Sequence, residues 1–158
     1  MYDTMLTAED ISILLRKLKY DDSLVTIIGS PEQLFIALKD DLKKKIKTYI
    51  CYINQHWFTI IYTILNNKKY IITWDSFGNQ LPNTYKTKLI ELRKDFHFLF
   101  CSEVIQSDGH SCGLFAVIFT DFVIQLYKYK KEEFLELLAK VKKNHILKIF
   151  NSIKNCYK

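Results

Sequence analysis

Glycine and proline are scarce in this chain, four and two of 158 residues. Such a sequence has no Gly/Ser linker, no Pro-rich tract and little reason to be disordered away from its ends. The four cysteines, Cys51, Cys101, Cys112 and Cys156, show no paired spacing, which argues against a disulfide framework. His110 and Cys112 are separated by a single residue, and no second Cys/His pair stands at metal-ligand spacing, so no metal is expected, nor any other cofactor. No charged-then-apolar leader opens the chain, which predicts a reducing, intracellular setting rather than secretion. The most apolar stretch, residues 112–127, is short and interrupted by Asp121; no membrane span is expected.

What is present is core-forming. Hydrophobic residues make up 49% of the chain and aromatic residues 15%, and a single domain over 1–158 is long enough to bury about two-thirds of its unfolded surface. The net charge of +6 comes largely from lysine runs at Lys43-Lys44-Lys45, Lys128 to Lys131 and Lys142-Lys143. Solvated helix faces account for such runs; the alternative is salt-dependent, non-specific attraction to nucleic acid or other acidic partners.

The pattern of elements is mixed. Thr7 caps a predicted helix to about residue 20, with Asp10 at the capping-box position. Ser30-Pro31-Glu32 starts a second helix, extended to about 45. Strands are predicted at 48–53, 57–65 and 69–74, a helix from Pro82-Asn83-Thr84 to about 95, and a strand at 96–104. Residues 112–127 are apolar nearly all round and predict a central buried helix. Two amphipathic helices, 131–142 and 144–155, close the chain. The class is α+β, a small mixed sheet flanked by helices.

Cys112 opens the central helix. Unpaired N–H groups and the positive end of the dipole favour a thiolate there, by about 0.3–1 kcal/mol at an exposed terminus. That is too little for a working nucleophile, which needs a histidine held by a carboxylate. His56 and Asp75 provide one of each. If Asn66-Asn67 form a two-residue hairpin turn, Leu65 pairs with Lys68 and Phe58 falls opposite Asp75, with His56 a diagonal neighbour on the same face, roughly 7–8 Å away at the backbone and within side-chain reach. Plainer readings stand beside these: a half-exposed histidine, an aspartate serving its own turn, an inert buried thiol. Cys51 and Cys101, set among apolar strand residues, read as core thiols, and Cys156 as incidental.

These residues resemble the adenain-like and ubiquitin-like-specific cysteine proteases of the CE clan. The resemblance is carried by His56-Trp57 at a strand start, Trp74-Asp75-Ser-Phe-Gly78 after the next strand, and Gln106-Ser-Asp-Gly-His-Ser-Cys112-Gly113 at a helix start. The order is His, Asp, Gln, Cys, and a weaker echo lies in Met5-Leu-Thr-Ala-Glu-Asp-Ile11. It implies Cys112 as nucleophile, His56 as base and later acid, and Asp75 as orienter of His56. Gln106 would donate to the oxyanion with the Cys112 N–H, and Trp57 and Gly113 would line the substrate cleft, which in related enzymes selects small residues such as glycine.

The activity implied is that of an adenain-type endopeptidase maturing capsid or other structural precursors of a virus, virophage or mobile element. It would act as a monomer in the cytoplasm or nucleus of an infected cell, or packaged in the virion. Two alternatives stay open, an isopeptidase removing ubiquitin or a ubiquitin-like protein, and an inactive protease fold serving as a DNA-binding or scaffold protein. Adenovirus proteases use DNA and a disulfide-linked peptide as activators; neither Cys51 nor Cys101 is assigned that link by motif.

Overall fold

A computed structural model describes residues 5–40, 44–76, 83–100 and 111–139. Its centre is a five-stranded mixed sheet in the sequential order β1-β2-β3-β4-β5, formed by Val25–Ile28, Ile46–Ile53, His56–Leu65, Lys68–Trp74 and His97–Phe100. The three middle strands are antiparallel and each edge strand joins in parallel. This is the expected α+β class with a small mixed sheet.

Two tight turns set the register of the middle strands. Asn66 and Asn67 both have positive φ, 50° and 63°, as a type I′ turn requires, and Leu65 pairs with Lys68 as the sequence predicts. A second such turn, Asn54-Gln55 with φ of 55° and 60°, joins β2 to β3, pairs Ile53 with His56, and so sets where the histidine starts its strand.

Helices cover both faces. Alternation along β3 sends Trp57, Ile61 and Leu65 into one apolar cluster with α1 (Ala8–Lys17), α4 (Cys112–Tyr129) and α5 (Phe134–Ala139). Phe58, Ile60 and Tyr62 enter the other, with Leu34 and Leu38 of α2 (Pro31–Lys39) and Leu89 of α3 (Asn83–Leu92). A strand covered on both faces reads as a continuous apolar run, as Trp57–Leu65 does. At 18 residues α4 is long and apolar enough to cross a membrane. Its packing shows why it is instead a core helix: it lies against β3, and Asp121 accepts a 2.5 Å hydrogen bond from Tyr20.

Several boundaries differ from expectation. Thr7 caps α1 with the full capping box, but the helix stops at Lys17, followed by Lys19 at φ 64°. α2 ends at Lys39 rather than near 45: the Lys39 and Asp40 carbonyls accept hydrogen bonds from Arg93 Nη1 and the Tyr62 hydroxyl, and Ile46 is needed in β2. α3 ends at Leu92, short of 95. α4 extends to Tyr129, and the helix expected from 131 begins as a 3-10 turn at Lys131–Glu133 before α5. β1 was not anticipated; its signal is the short run Leu24-Val-Thr-Ile-Ile28 between an Asp-Asp-Ser turn and Gly29. The helix at 144–155 and the second half of the strand at 96–104 lie outside the described residues.

Candidate active site

β3 begins at His56, β4 ends at Trp74 just before Asp75, and α4 begins at Cys112, so three element ends meet at one end of the sheet. The β3–β4 register runs from Leu65 opposite Lys68 to Thr59 opposite Trp74. One further step sets Phe58 across from Asp75 and His56 diagonal to it. The side chains close that diagonal: His56 Nε2 and Asp75 Oδ1 are 2.6 Å apart, with side-chain exposures of only 13% and 8%. An ionised carboxylate has no proton to give, so Nε2–H donates to Asp75, and the other ring nitrogen, Nδ1, is left for the Cys112 sulfur, the second hydrogen-bond partner of the ring.

The sulfur has a second contact, the Trp57 backbone N–H at 3.5 Å. Strand geometry explains why that N–H is available. The Asn54-Gln55 turn makes Ile53–His56 a hydrogen-bonded pair and Tyr52–Trp57 the next, non-bonded one, so the Trp57 N–H points to the β4 side, where the ladder has already stopped at Thr59. Cys112 is also the first residue of α4, after Ser111, where helix N–H groups lack partners.

Burial opposes a charge on His56, but its hydrogen bonds to Asp75 and to the Cys112 sulfur, and electrostatic attraction to both, outweigh it and raise its pKa to about 9. The imidazole therefore holds its proton at neutral pH, beside the Cys112 sulfur. Cys51 differs: it is fully buried in β2, its sulfur lies 3.8 Å from the Tyr49 carbonyl, and burial pushes its thiol up. It is the core thiol the sequence suggests.

Trp57 is 3% exposed. Its Nε1–H donates to the Leu6 carbonyl at 2.9 Å and its ring lies against Tyr52, 4.8 Å between centroids. With Met5, Leu6, Thr7, Ala8, Ile27 and Tyr52 it lines a mainly apolar groove of about 420 Å³. Gly113 is buried where a Cβ would come within 3.2 Å of both Leu6 Cβ and Trp57 Cδ1, so its missing side chain is what allows α1, α4 and Trp57 to meet. Leu6, Ile27 and Tyr52 of this groove were not singled out in the sequence, although Leu6 falls within the Met5–Ile11 stretch. Gln106 and Cys101 lie outside the described residues.

The α+β fold is shared with several solved structures. Among solved structures it is similar to AvrA delL154 with IP6 and CoA, TM-score 0.64 at 14% identity over 76% of this chain and 50% of that one. It is also similar to a de-sumoylating protease, TM-score 0.50 at 16% identity over 90% and 67%, and to HopZ1a in complex with IP6 and CoA, 0.53 at 11% over 85% and 46%. The chain thus spans about half the length of the AvrA and HopZ1a chains. No family model and no curated protein matches the sequence.

Proposed function

We propose that this protein is a cysteine protease in which Cys112 is the nucleophile, His56 the base and general acid, and Asp75 the residue that orients His56. The carrying observation is the convergence on one sulfur of the His56 ring, itself 2.6 Å from Asp75, and the Trp57 N–H. The thiolate attacks the scissile carbonyl, His56 gives its proton to the leaving amine, and water then hydrolyses the thioester with His56 as base. Gln106 and the Cys112 N–H are assigned to the oxyanion. The apolar groove beside Trp57 supports a protein substrate bound in extended form.

In its finer form the reading is of an adenain-type endopeptidase cutting near glycine in capsid or other structural precursors. A second reading, release of a ubiquitin-like modifier, is favoured by the similarity to a de-sumoylating protease. CoA in two of the similar structures brings in acyl transfer through the same thiol. Profiling a proteome-derived peptide library alongside ubiquitin-like conjugates and acetyl-CoA, with Cys112→Ala as control, separates them. Cysteine-dependent cuts in peptides support the endopeptidase, and modifier release or substrate acetylation alone reassigns it. No Cys112-dependent chemistry on any of the three rejects the enzymatic reading.

A further inference from the structure

We infer that Thr59 is a positioning residue, its hydroxyl fixing the strand that carries His56 against the helix that carries Cys112. The inference rests on the proposed pairing of those two residues. Thr59 has no exposed surface and sits in the central strand, paired with Ile50 on one side and Trp74 on the other. Its Oγ1 donates to the Ala116 carbonyl of α4 at 3.2 Å.

The alternative partner for that carbonyl lies within the helix. A threonine in a helix commonly bonds back to the carbonyl four residues earlier, which for Thr120 is Ala116. Thr120 is fully buried, yet its hydroxyl has no hydrogen-bond partner among the described residues; the Ala116 oxygen is held by the strand instead. Apolar contacts between β3 and α4, such as those of Trp57 and Ile61, fix the spacing of the layers but are non-directional. A hydrogen bond fixes the helix along its own axis as well.

Thr59 lies three residues from His56, and Ala116 lies four residues, about one turn, beyond Cys112. The same rung holds a second contact: Trp74, opposite Thr59 and next to Asp75, stacks on Phe119 of α4 with ring centroids 4.2 Å apart. Since a misplacement of about 1 Å can cost roughly 10²-fold in rate, the polar bond at this rung bears directly on the sulfur–imidazole geometry.

The test uses the full chain with Thr59→Val, which keeps the shape and removes the donor, and Thr59→Ser, which keeps the donor. The Cys112-specific rate of alkylation by iodoacetamide is measured from about pH 5 to about pH 10 after subtracting the Cys112→Ala background, together with thermal stability; a plateau of reactivity on the acid side reports the ion pair. Thr59→Val is expected to lose about tenfold of that plateau and Thr59→Ser to stay within about twofold of the parent protein. A Thr59→Val protein that melts earlier but keeps the plateau overturns the inference and leaves Thr59 structural. Absence of a plateau in the parent overturns the Cys112–His56 pairing itself and the inference with it. Should Thr59→Val not fold, Thr59→Ala removes the same donor and is read in the same way.

Discussion

Asp75 reaches His56 across the open end of a hairpin, 2.6 Å from Oδ1 to Nε2, one step past the last paired residues of β3 and β4, Thr59 and Trp74. Because both side chains are largely buried, solvent screens the contact little. The aspartate therefore determines both which ring nitrogen carries the hydrogen toward it and how firmly the imidazole holds a second proton.

Asp75→Asn keeps the shape and removes the charge. We expect turnover to fall about 10²–10⁴-fold, the usual range for general acid–base catalysis, and the His56 midpoint to move from about 9 toward 6.5. NMR titration of the His56 ring checks the second point independently of any substrate, and an unmoved midpoint counts against Asp75 as orienter.

The raised pKa of His56 sets the sign of a pH effect. Below the ordinary 6.5 folded and unfolded chains both carry the proton and the full stabilisation is present; it is lost as pH rises through about 9. Urea midpoints at about pH 6 and about pH 10 should differ more in the parent protein than in His56→Gln. Activity should fall on the alkaline side near pH 9 as the general acid is lost.

Gly113→Ala adds a Cβ within 3.2 Å of Leu6 Cβ and Trp57 Cδ1 and 3.4 Å of Ile11 Cδ1. Overpacking of this kind costs about 1–3 kcal/mol, which calorimetry reads as a lowered melting temperature. Trp57 also lines the groove, so KM for a peptide substrate should rise with it.

Thr120→Val removes a buried hydroxyl without a hydrogen-bond partner among the described residues. The desolvation cost of such a group is about 1–3 kcal/mol, so the variant is expected to be at least as stable as the parent by urea denaturation. A clear loss of stability shows that the hydroxyl has a partner after all.

Gln106→Ala removes the side-chain donor assigned to the oxyanion. Turnover should fall roughly 10²–10³-fold with Cys112 alkylation unchanged. A matching loss of alkylation gives Gln106 a different role, in activating the thiol.

Much of the fold lies in local signals. Thr7 and Asp10 build the capping box, Ser30 and Pro31 start α2, Asn66-Asn67 turn the hairpin, and the apolar run after Cys112 becomes the core helix. Each depends on neighbours a few residues apart, where side-chain and backbone chemistry act directly. The hairpin register is of this kind, since a two-residue turn leaves one pairing, and so the approach of His56 to Asp75 could be counted from the sequence.

Longer-range features could not be. β1 is four residues long, too short to carry a period, and exists because parallel pairing with β2 completes it. α2 ends where Arg93 and Tyr62, distant in sequence, take its last carbonyls. The delivery of Cys112 to the Trp57 N–H, the closure of Trp57 over Gly113 against Leu6, and the choice of Thr59 over Thr120 at the Ala116 carbonyl are decided only when helix and sheet pack. Residues 51 or more positions apart then meet, and which polar group reaches a given acceptor depends on the three-dimensional arrangement of both elements.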